Sequence, residues 1–436
     1  MSDMAIGLGG FALLFVLLGM RMSVGPAMMF VGALGIYLIN PRGAMPTLGG
    51  ETFSITTLYS LTILPLFVLM GNLAGISGMS RDLYSAAHAW FGHMRGGLAS
   101  STIVGCAGFS ALSGSSLASA VTMGRVALPE MQRYKYDNSL ATGSIAAGGT
   151  LGILIPPSAG FVIYAILTEE SIGRLFLAGV LPGLLLTGLF IVTIWFTVKM
   201  KPELAPTTMD APPMSERFAA LGRAFWILSI ITVTIGGIYL GVFSAVEAAG
   251  IGAFLAFLVA LMRRTVNVAS MKDVIMGTLR STATSFFILM GAFVFTPFVA
   301  LSGIPASLTE TLSGFAGGQY SVLLIILGIY VVLGTFLEGF AILVLTLPLV
   351  QPILESYGVD LVWFGVMMVI VLEMGLISPP VGVNVFVVKG IAPDVDLNDI
   401  FKGIWPFWFA MIVCVAILLL VPDIALLLPN TMFGTG

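Results

Sequence analysis

The sequence predicts an all-α integral membrane protein made of two inverted repeats, each with one re-entrant helical hairpin. Three observations lead there: a lipid-like composition, a charge pattern that permits only certain crossings, and a repeat that pairs two Pro-Pro dipeptides. Of 436 residues, 58% are hydrophobic and 9% charged, and mean hydropathy is +1.07. Soluble domains carry about 25% charged residues, so most of this surface must face hydrocarbon. Apolar stretches long enough to cross a bilayer recur along the chain, among them Met4 to Met20, Leu175 to Val198, Ala224 to Val242 and Phe407 to Val421. The first lacks a basic start and is followed at once by another span, so it is expected to remain as a span and not act as a cleaved leader. Continuous apolar runs, without alternation, exclude a β-barrel.

Several function classes drop out on composition. The net charge is −3 and no basic cluster suits nucleic acid. Two histidines, His88 and His93, cannot make a histidine-rich metal centre. Cys106 and Cys414 both lie in apolar segments, so neither a disulfide framework nor a CxxC site is available.

Basic residues mark the cytoplasmic side. Residues 199–223 hold Lys199, Lys201, Arg217 and Arg223, and residues 263–280 hold Arg263, Arg264, Lys272 and Arg280. Two spans with a tight turn near Ser244 separate these stretches, so they share a side. Arg133 and Lys135 follow the apolar stretch 98–131. A single crossing there would put them outside and break parity with the basic stretch at 199. Two crossings would leave about 15 residues each, too short for a core of about 30 Å. A hairpin that enters and leaves on the cytoplasmic side satisfies both constraints, with its tip on "LSGSS", Leu112 to Ser116. By the same reasoning residues 319–357 form a second hairpin, entering from outside, with its tip on "GTFLEGF", Gly334 to Phe340. Of the 18 basic residues, only Arg42 and Arg174 then lie outside or at the outer boundary.

The repeat appears at a constant offset of 223 residues. Ala118 meets Ala341, Pro129 meets Pro352, Gly152 meets Gly375, and Pro156–Pro157 meets Pro379–Pro380. "LMGNLAGISG" (69–78) is likewise similar to "LMGAFVFTPFVALSG" (289–303). The parts are then first scaffold spans with an interfacial helix around His88 (1–97), and a first transport half with hairpin 98–131 and broken helix 139–166 (98–198). A cytoplasmic linker (199–223) and second scaffold spans (224–280) follow. The second half, 281–436, holds hairpin 319–357, broken helix 361–388 and a terminal span. The first half starts outside, which places both termini on the periplasmic side. Inverted repeats with broken helices near the midplane are the plan of secondary transporters.

The broken spans are "GGTLGILIPPSAGF" (148–161) and "LEMGLISPPVGVNVF" (372–386). Paired prolines remove donors and unwind about a turn, and carbonyls so freed in a membrane must be buried or bound to something. Hydroxyls and carbonyls with few charges suit a small hard cation. Candidate ion ligands are Ser113, Gly114, Ser115 and Ser116 with Gly149, Gly152 and Pro156, and, in the second half, Gly334, Thr335 and Gly339 with Gly375, Ser378, Pro379 and Gly382. Candidate substrate contacts are Ser115, Ser116, Ser158, Glu338, Gly339 and Asn384. Simple Pro kinks and small-residue packing around Ala118 and Ser119 are the plainer alternatives. Glu338 and Glu373 lie at membrane depth, where acids are costly and often functional; each is either an ion or substrate group or a structural acid. Glu247 opens a span and suits its N-terminal dipole, and Arg125 and Glu130 read as interfacial.

"ALSGSSLASAVTMGRVALPEM", "GGTLGILIPPS", "FSAVEAAGIGA" and "GLISPPVGVNVFV" together resemble the large membrane subunit of tripartite ATP-independent periplasmic (TRAP) transporters, over nearly the whole chain. The resemblance implies a non-enzymatic, elevator-type secondary transporter in the bacterial inner membrane. It implies Na⁺ coupling with two or more ion sites at the two tips, and uptake of a carboxylate or sulfonate anion such as a dicarboxylate or sialic acid. Its implied partners are a small membrane subunit and a soluble periplasmic binding protein. A channel would need a continuous polar stripe, which no span shows. A proton-coupled exchanger acting without a binding protein would need central titratable groups, for which only Glu338 and Glu373 are available.

Overall fold

The computed structural model describes residues 2–206, 211–313 and 318–433, and every regular element among them is helical. The first half opens with α1 (Asp3–Gly19), α2 (Val24–Ile39), α3 (Pro41–Thr57), α4 (Ile63–Ile76) and α5 (Met79–Phe91). A helical hairpin follows, α6 (Gly97–Ser113) and α7 (Ser116–Arg133). Next come a broken pair, α8 (Asn138–Leu154) and α9 (Ala159–Thr168), and the long α10 (Ile172–Met200).

After α11 (Met214–Arg223) the order recurs. α12 (Phe225–Tyr239) and α13 (Ala245–Met262) lead to α14 (Val268–Leu301) and α15 (Ile304–Ser313). The second hairpin is α16 (Gly318–Gly334) with α17 (Gly339–Ser356), and the second broken pair is α18 (Leu361–Leu376) with α19 (Val383–Ile391). α20 (Leu397–Leu420) and α21 (Asp423–Phe433) close the chain. Both Pro-Pro dipeptides fall in the breaks of these pairs, and both are cis.

The halves interlock. α2 of the first half packs along α14 of the second, and α13 packs along α4. Small residues permit the first approach: a Cβ on Gly25 would collide with the Phe287 carbonyl, and one on Gly291 with the Gly25 carbonyl. Membrane helices associate through such faces. α8, buried without interruption from Leu140 to Gly152, packs on α6, α7 and α20, and α18 packs on α16 and α10. The Tyr164 hydroxyl donates to the Leu361 carbonyl at 2.7 Å and ties α9 to the start of α18.

Local signals set several boundaries. Ser244 and Glu247 form a capping box at the head of α13, satisfying backbone donors that the first turn leaves open. Asn267 and Ser270 do the same for α14.

Two segment boundaries differ from the sequence expectation. α14 begins at Val268 and runs 34 residues, so most of the basic stretch 263–280 is helix, and the division at 280 falls inside one element. The 199–223 linker holds α11, whose Phe218 ring meets Trp90 of α5 edge-on at 5.8 Å, while Trp90 Nε1 donates to the Arg217 carbonyl. α11 stays largely exposed, with Ala220 its one buried residue, and is held to α5 by these Trp90 contacts. At the same end of the molecule Arg263 bridges Asp82 at 2.6 Å and donates to the Ser77 carbonyl, pinning α13 to α5.

Candidate functional site

Each hairpin tip abuts the break of a broken helix. The first tip turns at Gly114, whose φ of +59° is left-handed and therefore favours glycine. A Cβ there would also press on the Pro157 carbonyl, at 2.8 Å. Ala159 N–H donates to the Gly114 carbonyl, so the second part of the broken helix is hydrogen-bonded to the tip. A Cβ on Gly152 would lie 2.5 Å from the Ser115 carbonyl carbon and oxygen, and one on Gly149 3.1 Å from the Ser116 carbonyl oxygen. The second tip repeats the arrangement: Gly334 and Gly375 meet backbone to backbone, with no room for a Cβ on either.

The residues expected to hold ions therefore converge, but their side chains do different work. The Ser113 hydroxyl pairs with that of Ser119 at 2.8 Å. Ser115 caps α7 by accepting from Ala118 N–H, the usual role of serine at that position. Ser116 is buried and lies beside Glu373. Around Pro156 the backbone carbonyls, with Ser116, are the hard donors left over for a cation. In the second half the Thr335 hydroxyl donates back to its own helix at Val332. The Ser378 hydroxyl donates to the Met374 carbonyl and accepts from Trp408 Nε1. Gly382 starts α19 at a φ of +61°, close to the Ser378 carbonyl. Pro379 is exposed, whereas Pro156 and Pro157 are buried. The second break is thus the more open of the two.

A cavity of about 500 Å³ lies between the first tip and the crossing helices α4 and α14, within the size range of small-molecule sites. Ser113, Gly114 and Ser115 line one wall, and Glu338 and Phe340 of the second hairpin reach it. Asn72 of α4 and Arg280, Ser281, Thr284 and Ser285 of α14 line the other. Asn72 Nδ2 donates to Thr278 Oγ1 at 3.0 Å, joining the two helices of that wall. Arg280 has no ion-pair partner among the described residues.

Of the expected substrate contacts, Ser115 and Glu338 line this cavity; Ser116, Ser158, Gly339 and Asn384 do not. Ser158 is fully buried and caps α9 through Phe161 N–H. Gly339 faces Leu376 and Leu372, and Asn384 is sealed inside the second break. Arg280 is the residue that sequence reasoning missed, because it was assigned to a cytoplasmic loop. The cap pair Asn267–Ser270 is the signal that could have placed it one helix further in. Arg125 and Glu130, read as interfacial, line a separate cavity of about 730 Å³ with Arg81, His88 and Arg223, between α5, α7 and α11.

The comparisons with known proteins agree with one another. Residues 11–424 match the family model "Tripartite ATP-independent periplasmic transporter, DctM component". The C4-dicarboxylate TRAP transporter large permease protein DctM of Pseudomonas aeruginosa is 34% identical over 400 residues, covering 92% of each chain. The sialic acid TRAP transporter large permease protein SiaM of Vibrio cholerae is 32% identical over 420 residues, covering 95% of this chain and 96% of that one. Among solved structures, the YdaH transporter of Alcanivorax borkumensis superposes with a TM-score of 0.62 at 16% identity, over 90% of this chain and 89% of that one; this likeness concerns the fold alone. Two inverted hairpin-and-break halves, an anion-compatible cavity between them and a family match over almost the full length lead to one assignment: the chain belongs to the DctM family, the large membrane component of tripartite ATP-independent periplasmic transporters.

Proposed function

We propose that this chain performs Na⁺-coupled uptake of an organic acid anion handed over by a periplasmic binding protein, and that it does so by an elevator movement. The observation that carries the reading is the cavity itself. It has a guanidinium and a row of hydroxyls on one wall and a hairpin tip on the other, a chemistry suited to a carboxylate or sulfonate. Relatives named for C4-dicarboxylates, sialic acid and isethionate support that substrate class.

The elevator reading rests on how the site is divided. α2, α4, α13 and α14 interlock as a frame, while α6–α10 and α16–α20 carry both tips and both breaks. An anion held at the tips would travel with that second group and leave Arg280 behind. Co-transported Na⁺ fits the backbone carbonyls of the two breaks, with Ser116 adding a hydroxyl. The basic residues at the ends of α10, α11, α13 and α14 argue for the cytoplasmic face there, which makes the first hairpin cytoplasmic and both termini periplasmic.

The frame's outer helices expose large apolar side chains, among them Phe30, Phe53, Phe254 and Phe287. A sliding group needs a stationary frame, and a helical partner in the membrane would supply it. The test is reconstitution in vesicles with Na⁺ outside. The chain alone is expected to show no robust uptake, and adding the small membrane subunit with the liganded binding protein should restore it. Full uptake by the chain alone would remove it from three-component operation.

A further inference from the structure

Two opposite charges line the cavity between the first tip and the frame, and neither is neutralised. Arg280 of α14 and Glu338, the residue that precedes α17, are its only charged lining residues among those described. Neither forms an ion pair, with the other or with any other described residue. Glu338 stands at the cap position of α17, yet its side chain makes no capping hydrogen bond. Opposite charges attract strongly where water is scarce, and ionisable groups at membrane depth almost always pair with something. A guanidinium and a carboxylate kept apart in one cavity therefore point to a ligand that meets both.

The chemistry of each end dictates what that ligand carries. A guanidinium has donors only, so its end takes the acid group of the cargo. Ser281 and Ser285 of the same helix add hydroxyls to that wall. Glu338 lies at the positive end of α17, which favours its ionised form. An ionised carboxylate only accepts hydrogen bonds, so its end takes an ammonium or a hydroxyl. A second carboxylate there would face a like charge, and such a juxtaposition costs enough to turn a ligand away. Phe109 and Phe340, also in the lining, offer apolar surface to a carbon skeleton.

We propose that Glu338 is a specificity-determining residue of this cavity. The cargo presents one acid group to Arg280 and a cationic or hydroxyl donor to Glu338, and a second acid group at that end is rejected. The inference rests on the anion reading above and narrows its substrate class to monoacids with a donor at the far end. Because α17 belongs to the moving group, Glu338 stays with the cargo during the crossing while Arg280 remains in the frame.

The test uses the chain purified with its small membrane subunit in NaCl, without the binding protein, so that only this cavity selects. Four probes share a four-carbon chain and differ at one end: butyrate, γ-hydroxybutyrate, γ-aminobutyrate and succinate. Their affinities are read at equal ionic strength from the rise in unfolding temperature with probe concentration. In the wild type γ-aminobutyrate should bind at least tenfold more tightly than succinate, the size of one hydrogen bond to a charged group. The hydroxy acid should rank second and butyrate third. Glu338→Gln should shrink the preference for γ-aminobutyrate over succinate by roughly tenfold or more, whereas Glu338→Asp, which keeps the charge, should preserve the order. A merely structural role would lower all four affinities together. If neither variant folds, the wild-type ranking carries the test. Succinate binding as tightly as γ-aminobutyrate in the wild type, or the same preference in Glu338→Gln as in the wild type, would overturn the proposal and leave the anion reading standing. A wild type stabilised by none of the four would overturn both.

Discussion

Replacing Gly152 by alanine is expected to reduce uptake to about a tenth or less, by forcing the first hairpin tip away from its break. The added Cβ would sit 2.5 Å from the Ser115 carbonyl and 2.6 Å from Ser116 N, both backbone atoms that cannot rotate aside. Overpacking a tight interior typically costs about 1–3 kcal/mol, and each 1.4 kcal/mol is tenfold in the population of a competent geometry. The same change at Gly375 should act alike on the second tip, where the new Cβ meets the Gly334 backbone. Gly188→Ala in α10 is the control, since nothing lies within 4 Å of a Cβ there. A substitution so placed should stay within about 0.5 kcal/mol and leave uptake nearly unchanged. Initial rates in vesicles, normalised to folded protein, decide the matter. Normal rates for Gly152→Ala would mean that the tip and the break need not touch during transport.

The second large effect is expected at Arg280. Arg280 lines the cavity that the Ser113–Ser115 tip also lines and has no ion-pair partner among the described residues, and a guanidinium there can receive an anion bidentately. A hydrogen bond to a charged group contributes about 1.5–3 kcal/mol, which corresponds to a loss of roughly tenfold to a hundredfold in anion affinity for Arg280→Gln. Arg280→Lys should keep the attraction and lose the fork geometry, falling in between. Half-saturation of anion counterflow across vesicles is the readout. Because α14 belongs to the interlocked frame, the defect should appear on one side of the membrane only. Equal affinity in Arg280→Gln and wild type on both sides would remove Arg280 from the site.

What could be read from the sequence followed from strong local constraints. Gly114 and the stretch after Gly334 lie at the turns of the two hairpins because charge parity and chain length leave few other solutions. Pro156–Pro157 and Pro379–Pro380 mark the two breaks because proline cannot continue a helix. Glu247 was legible as a helix-start acid, and it completes the capping box of α13.

The rest depended on distant partners. Ser113 and Ser115 look like free ligands in sequence, yet one pairs with Ser119 and the other caps α7. Ser158 likewise spends its hydroxyl on a cap. Arg280 was hidden because it closes the basic stretch 263–280, whereas it lies well inside α14. The neighbourhood of Glu373 was hidden for another reason: Ser116 reaches it only after the two halves have packed together.

The central claim, that two hairpin-and-break units couple an anion to sodium, is tested most directly by uptake into vesicles holding the complete three-component system. The pH is equal on both sides and the membrane potential is clamped, so an inward Na⁺ gradient is the only driving force. The account predicts accumulation of the organic acid above its external concentration, and none when choline replaces Na⁺. Accumulation that persists in sodium-free buffer, or that follows an imposed pH gradient instead, would contradict it.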